Sequence, residues 1–246
     1  MSFSVAQIER AASRAWPARE TLRYDGWMLR YGEGFSRRIN SVAATESSTR
    51  PLDNKLGRCR RWYAERGLPL LFRIAPAVEA DLDASLGERG FTGEGHTVVM
   101  AQSVVPSGRQ PPEVGIGESP SDRWIAAELD LAGVGPVKAA GWLAVMKRLP
   151  HPAGFALLRS GDAPVAAGVG VVVDGWLGVF EVVVDPDRRR RGHGRLLMEA
   201  LHAWGGERGA ERSFLQVLVE NRAAIGLYGS LGYEEAYRYW YRRDPD

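Results

Sequence analysis

Cysteine is nearly absent from the 246-residue chain: Cys59 stands alone. That excludes an internal disulfide framework and any cysteine-based zinc cluster. Long apolar runs are missing too, for no stretch approaches the roughly 18 uninterrupted apolar residues that cross a membrane. The opening MSFSVAQIERAASRAW alternates charge with alanine where a signal peptide carries an apolar core. Neither sign of charge is in excess: 32 Lys+Arg against 30 Asp+Glu leave a formal net charge of +2, too near neutral for bulk charge to imply a nucleic-acid or membrane partner. A soluble cytoplasmic protein is the expectation. What the chain does hold is ordinary globular material, 45% hydrophobic and 25% charged, so wholesale disorder is excluded. At about 150 residues per domain the length allows one large core or two modest ones.

The sharpest change of composition is residues 104–121, VVPSGRQPPEVGIGESPS, with four prolines and three glycines. Proline lacks the backbone donor and glycine leaves φ free, so neither helix nor strand is expected to run through it. This divides the chain into a domain over 1–105, a Pro/Gly linker over 106–119 and a domain over 120–246. Apolar periodicity predicts helices over 4–15, 52–66, 79–89, 122–132, 136–149, 194–204 and 222–231. It predicts strands over 27–31, 39–44, 68–74, 96–105, 155–159, 165–173, 176–185, 213–219 and 236–242. Ser4 and Gln7 stand in capping-box positions. The fold class is α/β, with a mixed sheet. One offset of 142 residues relates the halves, carrying Glu65-Arg66-Gly67 onto Glu207-Arg208-Gly209 and Gly90-Phe91 onto Gly232-Tyr233. Two copies of one fold are therefore expected.

The strongest chemical signal is VVVDPDRRRRGHGRLL, residues 182–197. An apolar strand ends at Asp185-Pro186, a basic turn follows, and Gly192 and Gly194 open an amphipathic helix. The first N–H groups of a helix are unpaired donors at the positive end of its dipole, a combination that binds phosphate or pyrophosphate. Arg189, Arg190, Arg191 and Arg195 add charge. The dinucleotide fingerprint is absent because position 197 is Leu, and no Gly-Lys-Ser/Thr follows to make a P-loop. A second signal is NRAAIGLYGSLGY, residues 221–233. There Asn221 suits a helix N-cap and Tyr228 shares the apolar face with Ala224 and Leu231.

The pattern Val184, Pro186, Arg189, Gly192, Gly194 resembles the acetyl-CoA pyrophosphate loop of the GNAT superfamily of acyl-CoA-dependent N-acyltransferases. Asn221, Ala224, Leu227, Tyr228, Gly232 and Tyr233 resemble the late motif of that superfamily. The resemblance covers residues 120–242 and implies a tandem GNAT fold. It implies acetyl-CoA as co-substrate, no metal, and cofactor contacts from Val182, Val183, Val184, Arg189, Arg190, Arg191, Gly192, His193, Gly194, Arg195 and Asn221. A backbone N–H on the strand Val182-Val183-Val184 would stabilise the oxyanion. Tyr228 would protonate the departing thiolate, its pKa of about 10 exceeding a thiol's of about 8.5. One branch, the ribosomal-protein alanine acetyltransferases, carries a Glu five residues before the helix-starting Asn; here that position is Gln216. Glu181 is the substitute base, with a salt bridge to an arginine or proton removal by ordered water as alternatives.

At the same offset Ser47 to Arg50 replace Arg189 to Gly192, Leu52 replaces Gly194, Leu86 replaces Tyr228 and Glu79 replaces Asn221. The amino-terminal half is therefore expected to be degenerate, with Arg37, Arg38, Asn40 and Glu46 as cleft candidates or solvated surface. Trp142, Trp176 and Phe180 are either an aromatic wall for the acceptor or core. The expected partner is a small-molecule or peptide amine, not nucleic acid and not a membrane, with the chain a monomer or homodimer. The competing reading is a non-catalytic acyl-CoA-binding sensor.

Overall fold

The computed structural model describes residues 4–76, 79, 81–103 and 110–245. Up to residue 103 its elements are α1 (Val5–Ala15), β1 (Glu20–Tyr24), β2 (Trp27–Tyr31), β3 (Val42–Ala44), α2 (Leu52–Ala64), β4 (Leu71–Ile74), α3 (Leu82–Glu88) and β5 (Thr92–Ser103). From residue 110 follow β6 (Val114–Gly117), α4 (Asp122–Ala132), α5 (Pro136–Met146), β7 (Ala153–Ser160), β8 (Ala163–Val173) and β9 (Trp176–Val184). The last elements are α6 (His193–Glu207), β10 (Arg212–Leu218), α7 (Arg222–Ser230) and β11 (Glu234–Arg243).

The chain makes two compact units, and they do not follow the two sequence halves. One comprises the amino-terminal residues through Pro17 together with Val99–Ala236; the other comprises Ala18–Val98 and the residues from Tyr237 onward. The amino-terminal helix joins the first unit because its apolar stripe, Ile8, Ala11, Ala12 and Ala15, is buried against β8 and β9. β5 and β11 each cross from one unit into the other in mid-strand.

In the first unit the strands run β10-β9-β8-β7-β6, with β5 beside β10. β6 to β9 are antiparallel neighbours, and β10 joins β9 in parallel through the crossover helix α6. β8 reads APVAAGVGVVV, and its small residues let α6 lie close: a Cβ at Gly170 would meet Leu201 and Trp204 at 3.2 Å. The second unit repeats the plan on a smaller scale. β1, β2 and β3 are antiparallel, β4 joins β3 in parallel after α2, and β11 closes the order antiparallel to β4. Its core gathers Trp27, Leu29, Val42, Leu56, Cys59, Tyr63, Phe72 and Phe91. Gly67, Gly90, Gly209 and Gly232, the glycines paired by the offset, all take positive φ, from +67° to +92°, just after α2, α3, α6 and α7. Without a Cβ they enter the left-handed region freely and stop each helix in the same way.

Several local expectations change. Ser4 is the N-cap of α1, but its side chain makes no capping bond; its carbonyl accepts from Gln7 and Ile8 at 3.1 Å. β1 is a strand the apolar pattern does not reveal, because three of its five residues are exposed and its order comes from pairing with β2. Within the Pro/Gly segment, Val114–Gly117 forms β6: Val114 is buried and the glycines need only their backbones to pair with β7. Residues 106–109 of the expected linker, and 104–105 of the strand expected over 96–105, lie outside the described residues.

Candidate active site

The site grows from one irregularity in β9. Val169 faces Phe180 and Ala167 faces Val183 across the β8–β9 ladder, so Glu181 and Val182 together stand opposite Gly168. This is a β-bulge, and Glu181 carries it with φ +50°. An extra residue breaks the alternation of side chains between the two faces. Phe180, its ring tilted against Trp16 at 4.7 Å, and Glu181, which accepts from the Trp142 indole at 3.3 Å, are successive residues that both leave the face covered by α6. Val182 returns to the α6 face, 3.4 Å from the Cβ that Gly168 lacks.

The bulge coincides with the end of parallel pairing. β10 and β9 pair from Arg212↔Trp176 to Leu215↔Val179 and no further, although β9 continues to Val184 and β10 to Leu218. The strands part, leaving the β10 side of residues 180–184 without a neighbouring strand. The Asp185 N–H donates to Val165 of β8 at 2.9 Å. By alternation the Val183 N–H points the same way, and those of Val182 and Val184 point into the opening. Of the three expected oxyanion donors, Val183 therefore faces β8.

The turn after β9 is ordered from within. Asp185 accepts from the Asp187 N–H at 3.0 Å and pairs with Arg188 at 3.4 Å, and the His193 ring contacts the Arg188 carbonyl at 3.1 Å. Arg190 at φ +58° and Gly192 at +81° bend the backbone into α6. The Leu196 N–H to Gly192 carbonyl bond, 3.0 Å, is the first of the helix. The N–H groups of His193, Gly194 and Arg195 precede it, and no side chain caps them. The two glycines differ in role. A Cβ at Gly192 would meet nothing within 4 Å, whereas one at Gly194 would lie 2.9 Å from Leu227 of α7. Gly192 keeps the helix terminus open; Gly194 lets two helices approach.

The arginines separate likewise. Arg189 donates to the Val184 carbonyl at 3.4 Å, and Arg195 is drawn to Ser230 at 2.7 Å and to Glu199 at 3.7 Å. Arg190 and Arg191 are exposed and have no partner among the described residues. The Glu181 carboxylate accepts from the Trp142 indole.

Asn221 caps α7, its Oδ1 accepting from Ala224 at 3.1 Å. Tyr228 is 8% exposed, and its hydroxyl has no hydrogen-bond partner among the described residues. Burial pushes the phenol up to about 12, so it stays protonated. Its ring meets Tyr233 at 6.0 Å, whose hydroxyl is fixed by Ser213 at 2.6 Å and His202 at 2.8 Å. Trp142, Trp176 and Phe180 are all nearly fully buried, which makes them core and not a wall. The apolar pattern concealed one residue. Glu128 lies on the buried face of α4, 1% exposed, one turn after Trp124. Its signal was an acidic residue at i+4 from a core tryptophan.

The second unit shows what the corresponding turn becomes. The Asp25 carboxylate accepts from the Thr49 hydroxyl at 2.6 Å, the Thr49 N–H at 3.1 Å and the Arg50 N–H at 2.9 Å, just before α2. These bonds hold its carboxyl well below the usual range. Beneath it the buried Lys55 ammonium bonds to the Asp25 carbonyl and the Ser48 hydroxyl, 3.5 Å from the centre of the Trp27 ring. Arg37 pairs with Glu94, Asn40 ties Gly32, Gly34 and Ser36, and Glu46 meets Arg23.

A cavity of about 380 Å³ in the first unit, lined by Arg10, Arg14, Asp174, Trp176 and Arg212 among others, includes neither Glu181, Asn221 nor Tyr228 and no residue of the turn into α6. Among the described residues no group of His, Cys, Asp and Glu is arranged to hold a metal ion, and no helix is long and apolar enough to cross a membrane.

Comparison with known proteins shows the family to which this arrangement belongs. Residues 4–242 match the family described as "Probable histone acetyltransferase Rv0428c C-terminal". The "Uncharacterized N-acetyltransferase YobR" of Bacillus subtilis is 29% identical over 97% of this chain and 98% of its own length. The "Probable histone acetyltransferase Rv0428c" of Mycobacterium tuberculosis is 31% identical over 94% of this chain and 70% of its own. Two solved structures share the fold. A GCN5-related N-acetyltransferase from Kribbella flavida has a TM-score of 0.75 at 20% identity, over 100% of this chain and 97% of that one. A tandem GNAT protein from the clavulanic acid biosynthesis pathway has 0.62 at 13%, over 100% and 91%. The chain belongs to the Rv0428c C-terminal family of GNAT-type N-acetyltransferases. It is an acyltransferase.

Proposed function

We propose that this enzyme transfers the acetyl group of acetyl-CoA directly to a primary amine, and that the first unit alone carries the reaction. The observation that carries this reading is the open start of α6: uncapped N–H groups, an unobstructed Gly192, and the unpaired Arg190 and Arg191 in front of them. Free donors at a positive helix end, joined by arginines, fit a pyrophosphate. With that group held at 189–195, the thioester would lie along the parted edge of β9, where the Val182 and Val184 N–H groups would receive the oxyanion.

In this reading Glu181 takes a proton from the acceptor ammonium, and the freed lone pair forms the N–C bond to the thioester carbonyl. As the C–S bond breaks, the Tyr228 hydroxyl gives its proton to the sulfur. The phenol regains one from the nitrogen through solvent, and Glu181 returns its own to water. The amino-terminal half is degenerate in this proposal: Asp25 already occupies the turn that would receive a phosphate, and Leu86 stands where Tyr228 stands.

The test is calorimetry with acetyl-CoA, followed by thiol release with a panel of an alkylamine, a lysine peptide and a peptide with a free amino terminus. Sub-millimolar binding that Gly192→Glu abolishes, and release with at least one amine, are expected. Absence of acetyl-CoA binding would overturn the reading.

A further inference from the structure

Among the described residues, two buried acids are unused by the proposed reaction, and one of them, Asp244, is paired with Arg60. Glu128 projects from the face of α4 that lies on β7, β8 and β9, and its Oε2 has no hydrogen-bond partner. An apolar side chain of similar shape would be better tolerated there, so a carboxyl in this place calls for an explanation other than packing. β8 has no titratable residue, Arg159 of β7 and Lys138 of α5 are exposed, and so are Asp122, Arg123 and Asp130 of α4 itself. The titratable group that acts on Glu128 is Glu181 of β9, a strand that α4 packs on, and Trp142 of α5 links the two regions, bonded to Glu181 and stacked 5.6 Å from Trp124. Burial, reinforced by the negative charge of Glu181, raises Glu128 to about 9. At neutral pH it holds a proton, and its O–H is a donor.

We propose that Glu128 is a positioning residue: as a neutral carboxylic acid it donates a hydrogen bond to the Glu181 carboxylate and, together with the Trp142 indole, holds that carboxylate toward the acceptor amine. Two donors would fix the base from behind, as a preorganised site requires. The inference rests on Glu181 serving the amine in the acetyl transfer proposed above.

Two variants separate a donor from a filler. Glu128→Gln keeps size and an N–H donor and cannot ionise; Glu128→Leu removes the donor and fits an apolar core. Glu128→Leu is expected to remain folded and bind acetyl-CoA within twofold of the parent, yet release thiol about tenfold more slowly with the panel amines. Glu128→Gln should recover at least a third of the parent rate and be free of the fall in rate expected of the parent as pH rises through about 9. Infrared spectra should show a protonated carboxyl band in the parent at pH 7 that is missing in Glu128→Gln. This last measurement needs neither acceptor nor acetyl-CoA, so its outcome is independent of the proposed reaction. A full rate in Glu128→Leu, equal losses in both variants, an alkaline fall that persists in Glu128→Gln, or no such band would each overturn the proposal.

Discussion

Asp25 and Thr49 are joined twice over, the carboxylate of one accepting from both the backbone N–H and the hydroxyl of the other. The bond pair ties the β1–β2 turn to the start of α2, and Lys55 lies buried beneath it. Asp25→Ala should therefore lower the thermal midpoint at pH 7 without creating a second acetyl-CoA site, read by calorimetric stoichiometry. The folded-state pKa of Asp25 is depressed, so its contribution is present above the unfolded value of about 4 and fades as pH falls toward the folded one. The gap between parent and variant should narrow below about pH 4; a constant gap would show that the carboxylate charge is immaterial.

Gly192 and Gly194 are two residues apart yet should fail differently. Gly194→Ala places a methyl group 2.9 Å from the end of Leu227, and about 1 kcal/mol of stability should be lost as the side chain gives way. Affinity for acetyl-CoA should change little. Gly192→Glu must hold φ near +81°, a strain of about 1–2 kcal/mol, and in addition brings negative charge to the open helix terminus. Equal affinities for the two variants would refute the division of labour.

Arg190 and Arg191 are unpaired, whereas Arg195 is committed to Ser230 and Glu199. Replacing both of the former with Ala should weaken acetyl-CoA binding about tenfold, or ~1.4 kcal/mol, with an effect that shrinks at high salt. Arg195→Ala should lower affinity less. The comparison is one set of titrations at two ionic strengths.

Tyr228→Phe should reduce kcat by about 100-fold, the low end of the range for general-acid catalysis, while leaving the acetyl-CoA affinity within twofold. Because burial holds the phenol near 12, the parent should lose no rate below pH 10 through ionisation of this residue. A kcat unchanged by the substitution would remove Tyr228 from the reaction.

The turn after β9 was legible in the sequence because its signals are local: arginines, two glycines and a proline at fixed spacing. The bulge was not. Glu181 leaves the α6 face only through the register of β8 against β9, and nothing in FEVVV announces an extra residue. Glu128 escaped for a related reason, since an apolar face on α4 is read from Trp124 and Ala127 and the acid between turns looks like surface. β6 was hidden by glycines, which pair through the backbone and contribute no pattern. The division into halves was visible as an offset, but which unit each final strand completes depends on distant partners. The pairing of β11 with β4 is fixed by residues far from it in sequence.

That exchange has a practical consequence. The Pro/Gly-rich segment near residue 110 looks like a place to cut, but severing there would hand each fragment the wrong terminal ribbon. A fragment beginning at residue 120 would hold the proposed site residues yet lack both α1 and the Val99–Ser103 stretch, and the remainder would be missing the strand that covers β4. Minimal versions of this enzyme must be sought by trimming loops, not by dividing the gene.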